Sequence, residues 1–361
     1  MSDKLFIKGT LILTLTGLVS RLMGFFYRIF LSHTIGAQGV GIYQLTLPVH
    51  AIVLAACCMG IQAAISRLCA SFTALGKEKE SRDALLLGTF LSMALCGLLS
   101  FLVYWNADFV ASALLKEPRT TVLLRILAFS FPFSALHSCV NSFYYARKTT
   151  GIPAFILLLE QTSRIGSTYV IYLILISQKK EITPVIAAGG ALFSELTATA
   201  ACMLALGLDF SRENYKPGTG LLRRILRVFF CMSKGTHRDS PSAVKYISHI
   251  QPASVKNNTA TSITALIKEI ARIAVPHSVN RLLLTLLSGI EMVLIPQRLL
   301  LSGINQTDSL SVYGIFTGMA LPLILFPATL TNSASVMLMP SVAGLQALGH
   351  ENKIRNVIGR T

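Results

Sequence analysis

The chain has 361 residues and a formal net charge of +16, with 53% hydrophobic and only 13% charged residues. A soluble domain of ordinary composition carries about 25% charged residues, so this shortage of charge excludes a typical soluble protein. The basic residues lie mostly between apolar runs and accompany no nucleic-acid-binding motif, so DNA and RNA are not expected partners.

Long apolar runs predict membrane-spanning helices along most of the chain. Because lipid cannot hydrogen-bond to an exposed backbone, an apolar run of about 20 residues is expected to be helical. The sequence therefore predicts an all-α fold, a polytopic transmembrane helical bundle. The eight predicted spans are 5–31, 42–72, 84–105, 122–145, 152–177, 184–208, 267–301 and 310–345.

The charges of the loops predict a cytoplasmic N-terminus. The loops after the second, fourth and sixth predicted spans carry the excess of Lys and Arg, and such loops stay on the cytoplasmic side. Examples are Lys77, Lys79 and Arg82 in the first of these loops, and Arg147 and Lys148 in the next. The protein is accordingly predicted to be a multi-pass protein of the bacterial inner membrane.

The second and eighth predicted spans resemble each other. Gly41-Ile42-Tyr43 precedes Leu47-Pro48 in one, and Tyr313-Gly314-Ile315 precedes Leu321-Pro322 in the other. A repeat on both sides of a long polar stretch predicts two related lobes. The predicted division is 1–208 for a six-helix lobe, 209–266 for a basic cytoplasmic linker and 267–361 for the first two helices of a second lobe. Because a full second lobe needs about four more spans, we expect a truncated coding sequence or a fragment.

Ionisable residues inside the predicted spans are the candidate functional residues. A charged side chain at the bilayer centre costs about 2.5–3.5 kcal/mol, so these side chains should face a wet cavity or one another. In the first span a helical stripe of small and polar residues ends in Arg21 and Arg28. The eight candidates are the arginines Arg21, Arg28, Arg164, Arg281 and Arg298 and the glutamates Glu160, Glu195 and Glu291.

The five arginines outnumber the three glutamates by two. A surplus of guanidinium suits an anion with several phosphate oxygens, because guanidinium binds phosphate in a bidentate manner. The glutamates are predicted either to couple transport to an ion or to pair structurally, as the spacing of Glu160 and Arg164 permits. No catalytic constellation, metal-ligand spacing or cofactor-binding motif is present, so we predict no enzyme, metal or cofactor.

Several segments together resemble the family of stage V sporulation protein B. That family lies in the oligosaccharidyl-lipid flippase superfamily, beside multidrug exporters and lipid II flippases. The segments are Lys8-Gly9-Thr10-Leu11-Ile12-Leu13, Ser20-Arg21-Leu22-Met23-Gly24-Phe25, Gly39-Val40-Gly41-Ile42-Tyr43, Glu160-Gln161-Thr162-Ser163-Arg164-Ile165, Glu291-Met292-Val293-Leu294-Ile295-Pro296 and Tyr313-Gly314-Ile315.

This resemblance implies two six-helix lobes around a cationic cavity and alternating access to the two sides of the membrane. Family members are thought to flip undecaprenyl-linked cell-wall precursors. Arginines of the first span and of the start of the second lobe are implicated in substrate binding in lipid II flippases. The matching positions here are Arg21, Arg28 and Arg281.

We therefore expect a flippase that moves a polyprenyl-pyrophosphate-linked sugar from the inner to the outer leaflet. The expected substrate is a peptidoglycan precursor such as lipid II, for the spore cortex or the vegetative wall. Membrane lipids are expected partners, and cell-wall synthesis enzymes are a further partner class. Two alternatives stay open: a cation-coupled multidrug exporter that relies on its glutamates, and an inactive truncated fragment with a scaffold role.

Overall fold

A computed structural model describes residues 2–212, 263–325, 327–349 and 354, which form helices and turns without a strand. The predicted all-α fold is confirmed. In chain order the main helices are α1 (Ser2–Leu54), α2 (Gly60–Ala74), α3 (Glu78–Trp105), α4 (Thr121–Ala146), α5 (Gly151–Ser177), α6 (Val185–Arg212), α7 (Ile263–Leu301), α8 (Gln306–Ile315) and α9 (Ala328–Ala347). Shorter pieces are the π-helical turns Ala55–Met59, Val110–Leu114 and Phe316–Ala320, the helices Ala107–Phe109 and Leu321–Ile324 and the 3₁₀ turn Pro118–Thr120.

The described helices are those of a polytopic membrane bundle. α1 contains the first predicted span and the start of the second, which continues through the turn Ala55–Met59 into α2. α1 bends at Gly36, where φ is 71° and ψ is 167°. Glycine adopts this conformation without steric cost. α5 is helical as predicted. Five segments are long and apolar enough to cross a membrane: Gly9–Ala74, Glu78–Trp105, Pro118–Ala146, Val185–Ser211 and Thr264–Leu301.

Helices α1 to α6 pack around one apolar core that contains the buried rings of Phe131, Phe143 and Tyr144. At one end of this bundle, Arg147 in the turn after α4 donates a 2.7 Å hydrogen bond to Glu78 at the start of α3. Alternate turns therefore meet at the same end, as an up-and-down bundle requires. Which end faces the cytoplasm stays a prediction.

α8 crosses α1 at a point where two glycines meet. A Cβ atom added to Gly41 would collide with the carbonyl of Leu310, and one added to Gly314 would collide with the carbonyl of Ala37. Leu310 lies four residues before Gly314, and Ala37 lies four residues before Gly41, so the contact is reciprocal. Reciprocal contacts are typical of two elements related by a two-fold axis. The predicted relation between the second and eighth spans stays a prediction.

The predicted linker overlaps the described chain only at its ends. Residues 209–212 complete α6 and residues 263–266 begin α7, so the helices extend into the predicted linker on both sides. The remainder of the linker, 213–262, lies outside the described residues, and so does most of the chain after 349. The division into lobes and linker stays a prediction.

Glu117 connects the turn between α3 and α4 to α8. Its carboxylate accepts a 2.6 Å hydrogen bond from Arg119 Nε and a 3.2 Å hydrogen bond from Gln306 Nε2. The Glu117 side chain is only 4% exposed. Burial by itself raises the pKa of Glu117, but the hydrogen bonds and the positive charge of Arg119 outweigh burial and lower that pKa.

A carboxyl group whose pKa is lower in the folded state stabilises the fold above its unfolded pKa and loses this effect as the pH falls. We expect Glu117→Gln to lower the free energy of unfolding by about 1 kcal/mol at neutral pH. The deficit should shrink as the pH falls below the usual carboxyl value of 4.5. Thermal unfolding in detergent at several pH values measures this difference in stability.

Asp108→Asn is the matched control, because the pair of Asp108 with Arg125 is exposed and should contribute little. A deficit for Glu117→Gln that stays constant from neutral to acidic pH would contradict the assigned role of the Glu117 charge.

Candidate functional site

A cavity of about 670 Å³ lies between the two arms of α1, α5 and the short helix Leu321–Ile324 with Leu325 after it. Arg21, Arg28 and Arg164 all line this cavity, and no acidic residue of the described chain lines it. The structure thus brings together three of the five predicted arginines. The other polar residues that line the cavity are Ser20, Tyr27, Tyr43, Gln44 and Gln161.

The pattern of α1 places two of these arginines on the cavity. Arg21 and Arg28 are seven residues apart, which is two helical turns or about 10 Å along the axis. Leu11 and Leu15, on another face of the same helix, are 66% and 61% exposed. An exposed apolar face beside a polar one is the arrangement that a helix adopts between lipid and a wet cavity.

Arg21 and Arg28 differ in their partners. Arg21 Nη1 donates a 2.5 Å hydrogen bond to the carbonyl of Leu325, which follows the short helix Leu321–Ile324. The last carbonyls of a helix lack partners within it, so this bond supplies a donor to such a group. Arg28 makes no hydrogen bond or ion pair with any residue that the structure describes. Its charge is therefore available to a ligand in the cavity.

Two glutamates that do not line the cavity lie next to Arg164. Its Nη2 atom lies 2.7 Å from Glu160 Oε1 and 4.0 Å from Glu195 Oε1, and its Nε atom donates to Ser194 at 3.2 Å. The predicted pair of Glu160 and Arg164 is thus present in α5. Ser194 and Glu195 belong to α6, so Arg164 also joins two helices.

Two histidines that the sequence analysis did not single out lie near Glu195. His137 Nδ1 in α4 lies 3.2 Å from Glu195 Oε2, and both side chains are about nine-tenths buried. The ring of His50 stacks on Phe131, with centroids 5.1 Å apart. The sequence carries no local signal for these contacts, because 58 residues separate His137 from Glu195.

The other three predicted residues do not reach this cavity. Glu291 and Arg298 line a separate, open concavity that is formed by α7 and Ser302 directly after it. Arg281 is also exposed on α7. The structure therefore groups Arg21, Arg28 and Arg164 with Glu160 and Glu195 close behind, and it leaves the α7 residues apart. No group of histidine, cysteine and carboxylate side chains in the described chain could hold a metal ion.

Residues 6–236 match the profile of a family described as polysaccharide biosynthesis protein. Stage V sporulation protein B of Bacillus subtilis (strain 168) is 25% identical over 343 residues, which cover 95% of this chain and 59% of that protein. Lipid II flippase MurJ of the same organism is 26% identical over 173 residues, which cover 46% of this chain and 32% of MurJ. The resemblance predicted from the sequence is confirmed, although the chain spans less than two-thirds of either relative.

Solved structures share the fold. The Vibrio cholerae MATE transporter VcmN superposes with a TM-score of 0.67 at 13% identity, over 99% of this chain and 69% of that one. An outward-facing multidrug resistance MATE transporter of the MOP superfamily gives a TM-score of 0.65 at 11% identity, over 98% of this chain and 68% of that one. At these identities the likeness concerns the fold alone, a helical membrane bundle.

Removal of Arg164 should destabilise the bundle, because it leaves Glu160 and Glu195 buried without their cation. We expect Arg164→Met to cost about 3–5 kcal/mol, as breaking a buried ion pair does. Adding Glu160→Gln should recover part of this loss of stability, since it removes one of the two buried carboxylates left without Arg164. Thermal unfolding of the single and double variants in detergent measures both effects.

Arg125→Met is the control, because Arg125 pairs with Asp108 at an exposed position. If Arg164→Met unfolds at the same temperature as the parent chain, Arg164 does not hold the two helices together.

Proposed function

This chain belongs to the polysaccharide biosynthesis protein family, and we propose that it is a membrane flippase for a polyprenyl-pyrophosphate-linked sugar. The substrate would pass from the inner to the outer leaflet by alternating access. One observation carries this proposal: three arginines and no acid of the described chain line the cavity. The names of the two relatives support it, since one of them is called a lipid II flippase.

The chemistry of the cavity suits a pyrophosphate. Guanidinium groups present paired N–H donors that match phosphate oxygens, and such charge-assisted bonds are stronger than neutral ones. Arg28, which has no described partner, would make the first contact, and Arg21 and Arg164 would complete it. The volume of about 670 Å³ lies within the range of ordinary ligand pockets.

The apolar parts of the cavity wall suit a lipid-linked substrate. Phe25, Phe26 and Leu22 line the cavity beside the arginines, and Phe26 is 64% exposed to the surroundings of the helix. A prenyl chain could therefore stay in the bilayer while its headgroup occupies the cavity. The specific substrate that we propose is a peptidoglycan precursor such as lipid II, for the spore cortex or the vegetative wall.

The proposed orientation gives the transport a source of energy. With the basic loops in the cytoplasm, the N-terminus lies inside the cell. An anion that moves outward then gains about 2.3 kcal/mol per charge for each 100 mV of inside-negative potential. We propose Arg281 and Arg298 on α7 as later contacts of the same substrate, and cell-wall synthesis enzymes as the partners that supply or consume it.

A cation-coupled exporter of drugs is less well supported. Such a transporter would present acidic groups to its substrate or its ion, whereas Glu160 and Glu195 lie behind Arg164 and do not line the cavity. Glu291 lies on the open face of α7. The position of these carboxylates thus favours an anionic substrate.

The binding role of Arg28 can be measured with geranyl pyrophosphate, a short and soluble prenyl pyrophosphate, on the purified full chain in detergent. We expect Arg28→Gln to weaken binding by about 10–100-fold, because it removes a charged hydrogen-bond donor from the anion. Isothermal calorimetry gives the affinity. Arg28→Lys should retain part of it, since the charge remains while the paired donors are lost.

Arg125→Gln serves as the control, since Arg125 lies outside the cavity in an exposed pair with Asp108. Equal affinities for the parent chain and Arg28→Gln would remove Arg28 from the binding site.

A further inference from the structure

The buried groups behind the cavity form a continuous chain of charges across three helices. Glu160 lies 2.7 Å from Arg164, Arg164 lies 4.0 Å from Glu195, and Glu195 lies 3.2 Å from His137. The exposed fractions of these four side chains lie between 8% and 23%. The network therefore connects a cavity-lining arginine to a histidine that water scarcely reaches.

The charges of this network balance only with the help of the cavity. Glu160, Glu195 and Arg164 together carry a net charge of −1 when His137 is neutral, and Arg28 in the same cavity supplies the remaining positive charge. An anion that takes Arg28 as its counter-ion leaves the −1 uncompensated, and a buried net charge is costly. One proton on the pair of His137 and Glu195 then brings the network to zero.

Glu195 is shared between the histidine and the arginine, which couples the proton to the cavity. A protonated His137 compensates Glu195, so that Arg164 remains balanced only by Glu160 and keeps more of its charge for the cavity. With a neutral His137, Glu195 also offsets part of the charge of Arg164. The charge that a ligand encounters beside α5 would then depend on the protonation state of a histidine in α4.

We propose that His137 and Glu195 form a proton-binding site whose proton is taken up from solvent together with an anion in the arginine cavity. This inference rests on the proposed function for the identity of the anion, but the site itself does not depend on it. Because coupling free energies are reciprocal, a proton that strengthens anion binding is itself bound more tightly when the anion is present. A flippase with this site would carry less net charge outward.

Other titratable groups face this pair from the surrounding helices. His50 of α1 is electrostatically close to Glu195 and His137, and its Nε2 atom has no hydrogen-bond partner in the described structure. Tyr43 of α1 and Cys58 of the Ala55–Met59 turn also face the network, and both types of group are ordinarily neutral at pH 7. His50 is therefore the competing proton acceptor that an experiment must separate from His137. Further titratable groups nearby are Tyr27 of α1, Arg28 in the cavity, and Cys139 and Cys202 in α4 and α6.

The proton site can be observed directly by NMR of the full chain with ¹⁵N-labelled histidine in detergent. We expect an imidazole titration that disappears in His137→Gln and persists in His50→Gln. Glu195→Gln should alter this titration, because a neighbouring carboxylate favours the imidazolium. His33→Gln, at an exposed position of α1, should leave the titration unchanged.

The coupling to the anion is measured by calorimetry of geranyl pyrophosphate in two buffers that differ in ionisation enthalpy. The difference in apparent binding enthalpy between the two buffers gives the number of protons taken up for each anion bound. We expect net uptake by the parent chain and by His33→Gln, and none by His137→Gln. If His137→Gln does not purify as a folded protein, Glu195→Gln gives the same test, since it removes the acid that holds the proton.

The two measurements separate failure of this inference from failure of the proposed function. If the parent chain binds geranyl pyrophosphate without proton uptake, the coupling is overturned. If it does not bind geranyl pyrophosphate, the proposed function fails, and the histidine titration alone decides whether the proton site exists. Absence of a titration that depends on both His137 and Glu195 overturns the site in either case.

Discussion

The ion pairs of Arg164 are the interaction on which the candidate site depends. Ionised groups inside a membrane are costly, and Arg164 has counter-ions on two helices. Glu160 holds Arg164 within α5, and Glu195 and Ser194 hold it to α6. The same guanidinium group lines the cavity. One side chain thus connects the packing of the first bundle with the charge that a ligand would meet.

A second constraint is the close crossing of α1 and α8. Without side chains at Gly41 and Gly314 the two backbones come into contact. The cavity lies directly beyond this crossing, since Val40 and Gln44 line it and would also meet a side chain at Gly318. The crossing and the hydrogen bond from Arg21 to Leu325 therefore fix the helices after α7 against α1. The cavity wall is built from both parts of the chain.

The features that could be predicted from the sequence are those with a local period. The spacing of Arg21 and Arg28 and that of Glu160 and Arg164 determine which side chains share a helix face, and the structure shows both arrangements. His137 was not predictable, because its contact with Glu195 depends on how α4 packs against α6. The spacing of Glu291 and Arg298 was equally regular. It indicated a shared face of α7, but a helical period alone does not say what that face meets.

The central claim is that a cavity of arginines carries a lipid-linked pyrophosphate across the membrane. The most direct measurement uses the full chain reconstituted in vesicles with fluorescent lipid II in one leaflet. The arrival of the labelled lipid in the other leaflet is followed over time. We expect translocation that becomes faster with an inside-negative potential and is lost in Arg28→Gln, while Arg125→Gln behaves as the parent chain. No translocation by the parent chain, or equal rates for the parent chain and Arg28→Gln, would contradict the claim.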